Sequence, residues 1–132
     1  MRIALVGSMA FADVMSAVRD SLQALGATVT TPIGGGDVSP KAELRYNVVA
    51  RTNINESDAI LVINETKHGI HGYVGANALI EIGMAFAFHK QIYLLNPYDD
   101  LQPNAIELAG LTDGIAGDDI NVWFQSIKKE TR

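Results

Sequence analysis

Asp58-Ala59-Ile60-Leu61-Val62-Ile63-Asn64-Glu65 is the stretch from which the fold can be read. Its five consecutive apolar residues are too few for an ordinary helix and too continuous for a strand with one wet face, so they predict a strand buried on both faces of a sheet. Asp58 reads as a cap or turn residue at the strand's entry, and Asn64 and Glu65 leave its carboxyl end. Upstream, Lys41 to Glu56 is weakly amphipathic and predicts a helix, reached through a loop carrying Pro32, Gly34-Gly35-Gly36 and Pro40. Before it, Ala27 to Thr31 predicts a β-branched strand, and Val14, Val18, Leu22 and Leu25 fall at helical spacing with Gly26 in a C-capping place. Ile3-Ala4-Leu5-Val6, closed by Gly7-Ser8, predicts the first strand. Downstream, Thr66 to Gly75 reads as a loop. Asn77 to Phe88 is apolar nearly all round and predicts a helix buried against the sheet. Ile92 to Leu95 predicts a fourth strand, Asn104 to Ala109 a short helix and Gly114 to Ala116 a fifth strand. Ile120, Trp123, Phe124 and Ile127 form the stripe of a last helix, capped by Asp118 or Asp119, with Lys128 and Lys129 at its favourable end.

Strands alternating with helices at this spacing imply βαβ units and a parallel sheet covered on both faces. The expectation is one α/β domain over residues 1–132, a doubly wound, five-stranded, flavodoxin-like (Rossmann-like) sheet of order 2-1-3-4-5.

The composition limits the partners. With 48% hydrophobic and 19% charged residues the chain is that of a globular protein with a packed core. Ten Lys plus Arg against fifteen Asp plus Glu leave a net charge of -5, so the attraction to a phosphate backbone is missing and no nucleic-acid partner is expected. The absence of cysteine removes disulfides, thiolate nucleophiles and Cys-based zinc sites, and fits a reducing compartment. The N-terminal apolar run is too short for a signal peptide, and the most apolar window, Ala78 to Leu95, contains Glu81, His89 and Lys90, so no membrane partner is expected. A soluble, cytoplasmic protein is the reading. The apolar helix 77–88, with Phe11, Tyr98 and Trp123 near element ends, offers more apolar surface than the sheet covers and predicts a homo-oligomer, most simply a homodimer.

In such sheets ligands bind beyond the carboxyl ends of the strands, near the switch in strand order. Gly7, Ser8, Asn64, Glu65, Asn96, Asp99 and Asp100 follow strand ends on that side. Gly7-Ser8 could offer backbone N–H groups to an anion, but it lacks both the GxGxxG pattern and a P-loop lysine. Glu81 stands out, because a lone carboxylate in so apolar a helix must be paired, protonated or placed at a cavity. An ion pair with Lys90 or an arginine is the plain alternative. Asn77, one turn earlier, shares its face. Lys67 and His68 place positive or titratable charge beside the third strand's exit, in a loop whose Gly69 and Gly72 read as hinges. His68, His71 and His89 lack the spacing of a metal site, and no Gly-x-Ser-x-Gly elbow is present, so neither a metal nor a serine hydrolase is expected. Tyr46 and Tyr73 could stack on a base, half-buried tyrosines being the plainer reading.

The run Glu81-Ile82-Gly83-Met84-Ala85-Phe86-Ala87-Phe88-His89-Lys90, followed by Gln91-Ile92-Tyr93, resembles the nucleoside 2-deoxyribosyltransferase superfamily, which includes the 2'-deoxynucleoside 5'-phosphate N-hydrolases. Its signature reads E-x-G-x-A-x-A-x-x-K before a strand. Gly7-Ser8 after the first strand and Ser57-Asp58 before the third agree with its layout, so the likeness spans about the first hundred residues. The resemblance implies the flavodoxin-like fold and makes Glu81 the nucleophile that attacks the anomeric carbon. It implies retaining cleavage or transfer of the N-glycosidic bond of a (deoxy)nucleoside or nucleoside 5'-monophosphate, without a cofactor or metal. Glu65 is then the candidate second catalytic acid, with Asp99 and Asp100 beside it. Gly7, Ser8, Asn64, Lys67, His68, Tyr73, Gly75, Asn77 and Asn96 are the candidate substrate-binding residues. Members of the family complete their sites across subunits. Two departures stand out: the family's usual Asp eight residues before the strand-three Asp is Ala50 here, and its Asp or Ser six residues before the nucleophile is Gly75. In the family those groups protonate the leaving base and hold the sugar or phosphate, and the extra Lys67–Tyr73 loop could replace them. Ala50 and Gly75 favour the alternative of a non-catalytic nucleotide-binding or signalling module. An enzyme separating ribose phosphate from its base by other chemistry on a related scaffold is the third reading.

Overall fold

The computed structural model describes residues 1–34 and 37–130, with the backbone alone for 129 and 130. Gly35 and Gly36 of the glycine-rich loop, the Lys129 side chain and the last two residues lie outside that description. Strands β1 (Arg2–Val6), β2 (Thr28–Thr30), β3 (Ala59–Val62), β4 (Gln91–Leu94) and β5 (Gly114–Ile115) are all parallel and lie in the order β2-β1-β3-β4-β5. Between them run helices α1 (Ala12–Ala24), α2 (Pro40–Asn55), α3 (Ala76–Ala87) and α4 (Ala105–Leu111), and α5 (Ile120–Glu130) ends the chain. The α/β architecture and the order 2-1-3-4-5 are those read from the sequence.

The period-two alternation of strand side chains sorts the core into two halves. Ile3, Leu5, Leu61 and Ile63 point to one face and pack with Met15, Val18 and Leu22 of α1 and Trp123, Phe124 and Ile127 of α5. Ala4, Val6, Ile60 and Val62 point to the other and meet Ile54 of α2, Ala78, Ile82 and Ala85 of α3 and Leu108 of α4. Caps fix the helix starts. Ser39 Oγ accepts the Ala42 N–H at 3.1 Å with Pro40 in the first turn of α2, and Asp119 Oδ1 accepts the Val122 N–H at 3.0 Å in α5. Asp58 sits at the edge remote from the strands' carboxyl ends, where its Oδ2 accepts the Arg2 N–H at 2.8 Å.

Helix α3 is buried against the sheet through Ala78, Ile82 and Ala85, and part of its apolar surface is left over: Ile80 and Phe86 are 51% and 59% exposed. A helix in an outer layer buries one stripe against the sheet and touches neighbouring helices at its flanks, and among the described residues nothing forms a further layer over its back. Among the described residues no helix is long and apolar enough to cross a membrane.

Candidate functional site

The strand-order switch places the ends of β1 and β3 side by side. After β1 the chain turns at Gly7 with φ +149°, where a Cβ would lie 2.7 Å from the Ile63 carbonyl oxygen, so only glycine lets this turn lie against the β3 exit. Ser8 then starts a short 3-10 turn over Met9–Phe11, its Oγ accepting the Ala10 N–H at 3.2 Å. From the other strand, Lys67 leaves a tight turn closed by its backbone exchange with Ile70 at 3.2 and 2.9 Å, with His68 and Gly69 both left-handed. Its ammonium donates to Ser8 Oγ at 3.2 Å and lies 5.8 Å from the centre of the Tyr73 ring.

The rest of this loop is fastened down. Gln102 Nε2 donates to the Gly72 carbonyl at 2.7 Å, and Asn104 Nδ2 donates to the Val74 carbonyl at 2.9 Å. Gly72 has φ +68°, and a Cβ there would meet the Pro97 carbonyl oxygen and stand 2.7 Å from Tyr98 Cα. Gly72 therefore serves close approach of two backbones, a different task from the hinge its sequence context suggests.

Helix α3 begins after Gly75 and carries Asn77 and Glu81 one turn apart on one face. Across from it, α2 presents Glu43, Tyr46, Asn47, Ala50 and Asn53, and the two helices are joined where Asn77 Nδ2 donates to Glu43 Oε2 at 3.4 Å. Between these elements lies a cavity of about 430 Å³. Burial pushes the Glu81 carboxyl from 4.5 up to about 7. The ion pairs of the described residues, Arg2–Glu56 and Arg19–Asp20, lie elsewhere, and Glu81 forms none with Lys90 or an arginine.

The cavity brings together Gly7, Ser8, Lys67, Tyr73, Gly75, Asn77 and Glu81 of the residues expected at a site. Asn64, Glu65, His68 and Asn96 are not among its lining residues. Asn64 is fully buried and knits β3 to β4: its Nδ2 donates to the Asn96 carbonyl at 2.7 Å, its Oδ1 accepts the Asn96 N–H at 2.8 Å, and its carbonyl accepts Asn96 Nδ2 at 3.2 Å. Glu65 meets the loop through its carbonyl, which accepts the Tyr73 N–H at 3.1 Å. The exposed His68 ring packs edge-on to Tyr73, and Asp99 Oδ1 accepts the Leu101 N–H at 3.0 Å. The sequence reading missed Glu43, Asn47 and Asn53. They share one helical face at the spacing 43, 46, 47, 50, 53, but in a weakly amphipathic helix nothing in the sequence sets that face apart from a solvent face.

Chemically, the cavity falls within the usual volume of a small-molecule site, with a desolvated carboxylate on one helix, a carboxylate and amides on the facing helix, and a cation at the strand-end side. Among the described residues no three His, Asp or Glu side chains converge to hold a metal ion.

No family model and no curated protein matches this chain. Solved structures do match it in fold. A CMP N-glycosidase of Clostridium botulinum is 18% identical, with a TM-score of 0.61 over 98% of this chain and 99% of its own. A conserved protein of Enterococcus faecalis V583 is 15% identical, with a TM-score of 0.66 over 98% of each chain. A 2-deoxyribosyltransferase of Bacillus psychrosaccharolyticus is 16% identical, with a TM-score of 0.65 over 96% of this chain and 90% of its own. The fold is thus the one implied by the resemblance around Glu81.

Proposed function

We propose that this protein cleaves or exchanges the N-glycosidic bond of a (deoxy)nucleoside or nucleoside 5'-monophosphate, with Glu81 as the nucleophile. The observation that carries the reading is Glu81 itself: a carboxyl group without an ion pair among the described residues, desolvated enough to hold its proton to about pH 7, on the wall of a cavity roomy enough for a small molecule. A purely structural carboxylate is placed in water or given a cation, whereas a nucleophile must be bare and aimed into space that a ligand can fill. The fold shared with an N-glycosidase and a deoxyribosyltransferase supports the same chemistry.

In this mechanism a Glu81 oxygen attacks C1' as the C1'–N bond breaks and its electron pair leaves with the base. Water, or the nitrogen of a second base, then attacks C1' from the vacated side and frees Glu81. The two displacements retain configuration. Lys67 and Ser8 hold the 5' end, and Tyr73 and Asn77 line the sugar's path. Incubation with a panel of nucleosides and 5'-monophosphates, with and without a free second base, tests the reading by chromatography. Release or exchange of a base is expected, and absence of turnover on every compound with binding retained would replace it with a non-catalytic nucleotide-binding module.

A further inference from the structure

We infer that Glu43 is the acid that protonates the leaving base, a role that rests on the N-glycosidic reading above. An in-line attack at C1' needs nucleophile and leaving group on opposite sides of that carbon. Glu81 comes from α3, so the base must point at the facing wall, and that wall is α2. Along the α2 side of the cavity stand Glu43, Tyr46, Asn47, Ala50 and Asn53, of which Glu43 alone can give a proton from a carboxyl group. The resemblance around Glu81 places an acid at position 50, where this chain has alanine. Position 43 lies seven residues earlier, two turns away and therefore on the same helix face.

The height is suitable as well. Glu43 Oε2 accepts from Asn77 Nδ2 at 3.4 Å, and Asn77 precedes Glu81 by four residues, roughly 6 Å of helix rise. The second carboxyl group is thereby held about one turn above the first, toward the strand-end mouth, the separation of a base edge from its anomeric carbon. The other acids on this side of the sheet are worse placed. Glu65 and Asp99 do not line the cavity, and Asp37, which does, is exposed and belongs to no helix or strand.

In the step, the Glu43 proton, drawn from solvent before substrate binds, passes to the base as the C1'–N electron pair moves onto it, leaving Glu43 as carboxylate. In the second displacement that carboxylate takes the proton of the attacking water or base. The test is the dependence of kcat/KM on leaving-group basicity, across derivatives of one base that the parent accepts. Glu43→Gln should slow the most basic leaving group by about 100-fold to 1000-fold and the least basic only a few-fold, because a good leaving group needs no proton. Glu43→Asp should fall between, and it carries the same test where the glutamine variant does not fold. Equal slowing of every derivative overturns the assignment and reduces Glu43 to a prop for Asn77. A parent that cleaves none of them overturns the N-glycosidic reading and the assignment together.

Discussion

The Lys67 ammonium donates to Ser8 Oγ across 3.2 Å, seating a cation from the β3–α3 loop on the turn that ends β1. Among the described residues it has no carboxylate partner. A bound 5'-phosphate would supply the anionic partner, so Lys67→Ala should weaken nucleoside monophosphate binding by about 1–3 kcal/mol and leave the unphosphorylated nucleoside nearly unchanged. His68→Ala should affect neither, since that ring is exposed and outside the cavity lining. Calorimetric titration distinguishes these outcomes, and equal losses for both ligands in Lys67→Ala would show that the lysine does not read phosphate.

Glu81→Gln keeps the side chain's shape and removes the nucleophile, so turnover should fall by about 1000-fold or more. The parent's pH profile follows from the same group. Only the ionised Glu81 carboxylate attacks, so the acid limb of kcat/KM, its rise with increasing pH, should be centred near 7. An acid limb centred near 4.5 would mean that Glu81 is not the titrating nucleophile.

Stability should move the opposite way. The folded protein holds the Glu81 proton to about pH 7 and the unfolded chain releases it near 4.5, so folding is increasingly opposed as pH rises between those values. Glu81→Gln removes this opposition. The variant should therefore be more stable than the parent above pH 7, by at most about 3 kcal/mol, and the gap should close below pH 4.5. Denaturant unfolding at pH 4 and pH 8.5 measures both ends, and a gap independent of pH would contradict the burial argument.

Gly72→Ala should be costly for its size. It forces a left-handed backbone on alanine and drives a methyl group into the Pro97 carbonyl and Tyr98. A loss of more than about 2 kcal/mol in chemical denaturation is expected, against about 1–2 kcal/mol for Gly69→Ala, where a Cβ meets nothing within 4 Å and only the left-handed backbone objects.

The uncovered back of α3 bears on assembly. Ile80 and Phe86 on α3, Leu44 and Val48 on α2 and Ile106 on α4 are exposed, and α3 packs against both of those helices. A homo-oligomer burying this face is expected, with light scattering at micromolar concentration giving at least a dimer mass and Phe86→Glu lowering it. A parent that is monomeric at that concentration would refute this.

The strands and helices were legible because short apolar runs closed by Gly7-Ser8 or Asn64-Glu65 admit little else than strands buried on both faces. Glu81 was legible for a similar reason, as a carboxylate that an apolar helix could not hide. What the sequence did not show was how far each side chain after a strand end reaches. Asn64 and Asn96 follow strands on the ligand side, yet they satisfy each other's backbone, a pairing across 32 residues that no local pattern announces. Glu43 was hidden because α2 is only weakly amphipathic, so its polar cavity face resembles a solvent face until α3 is set opposite. Gly72 looked like a hinge because the segment it packs against, Pro97-Tyr98, is distant in the chain.

The two carboxyl groups also sit on separate helices, packed side by side and linked by a long side-chain hydrogen bond from Asn77 to Glu43. Helix α3 is anchored to the sheet through Ala78, Ile82 and Ala85, while α2, a longer helix, has two buried residues, Ala42 near its start and Ile54 near its end. The wall that carries Glu81 is therefore the stiff one, and the wall that carries Glu43 can tilt by small amounts at little cost. Purines and pyrimidines differ in width, so the breadth of bases this chain accepts should be set by how freely α2 leans away from α3.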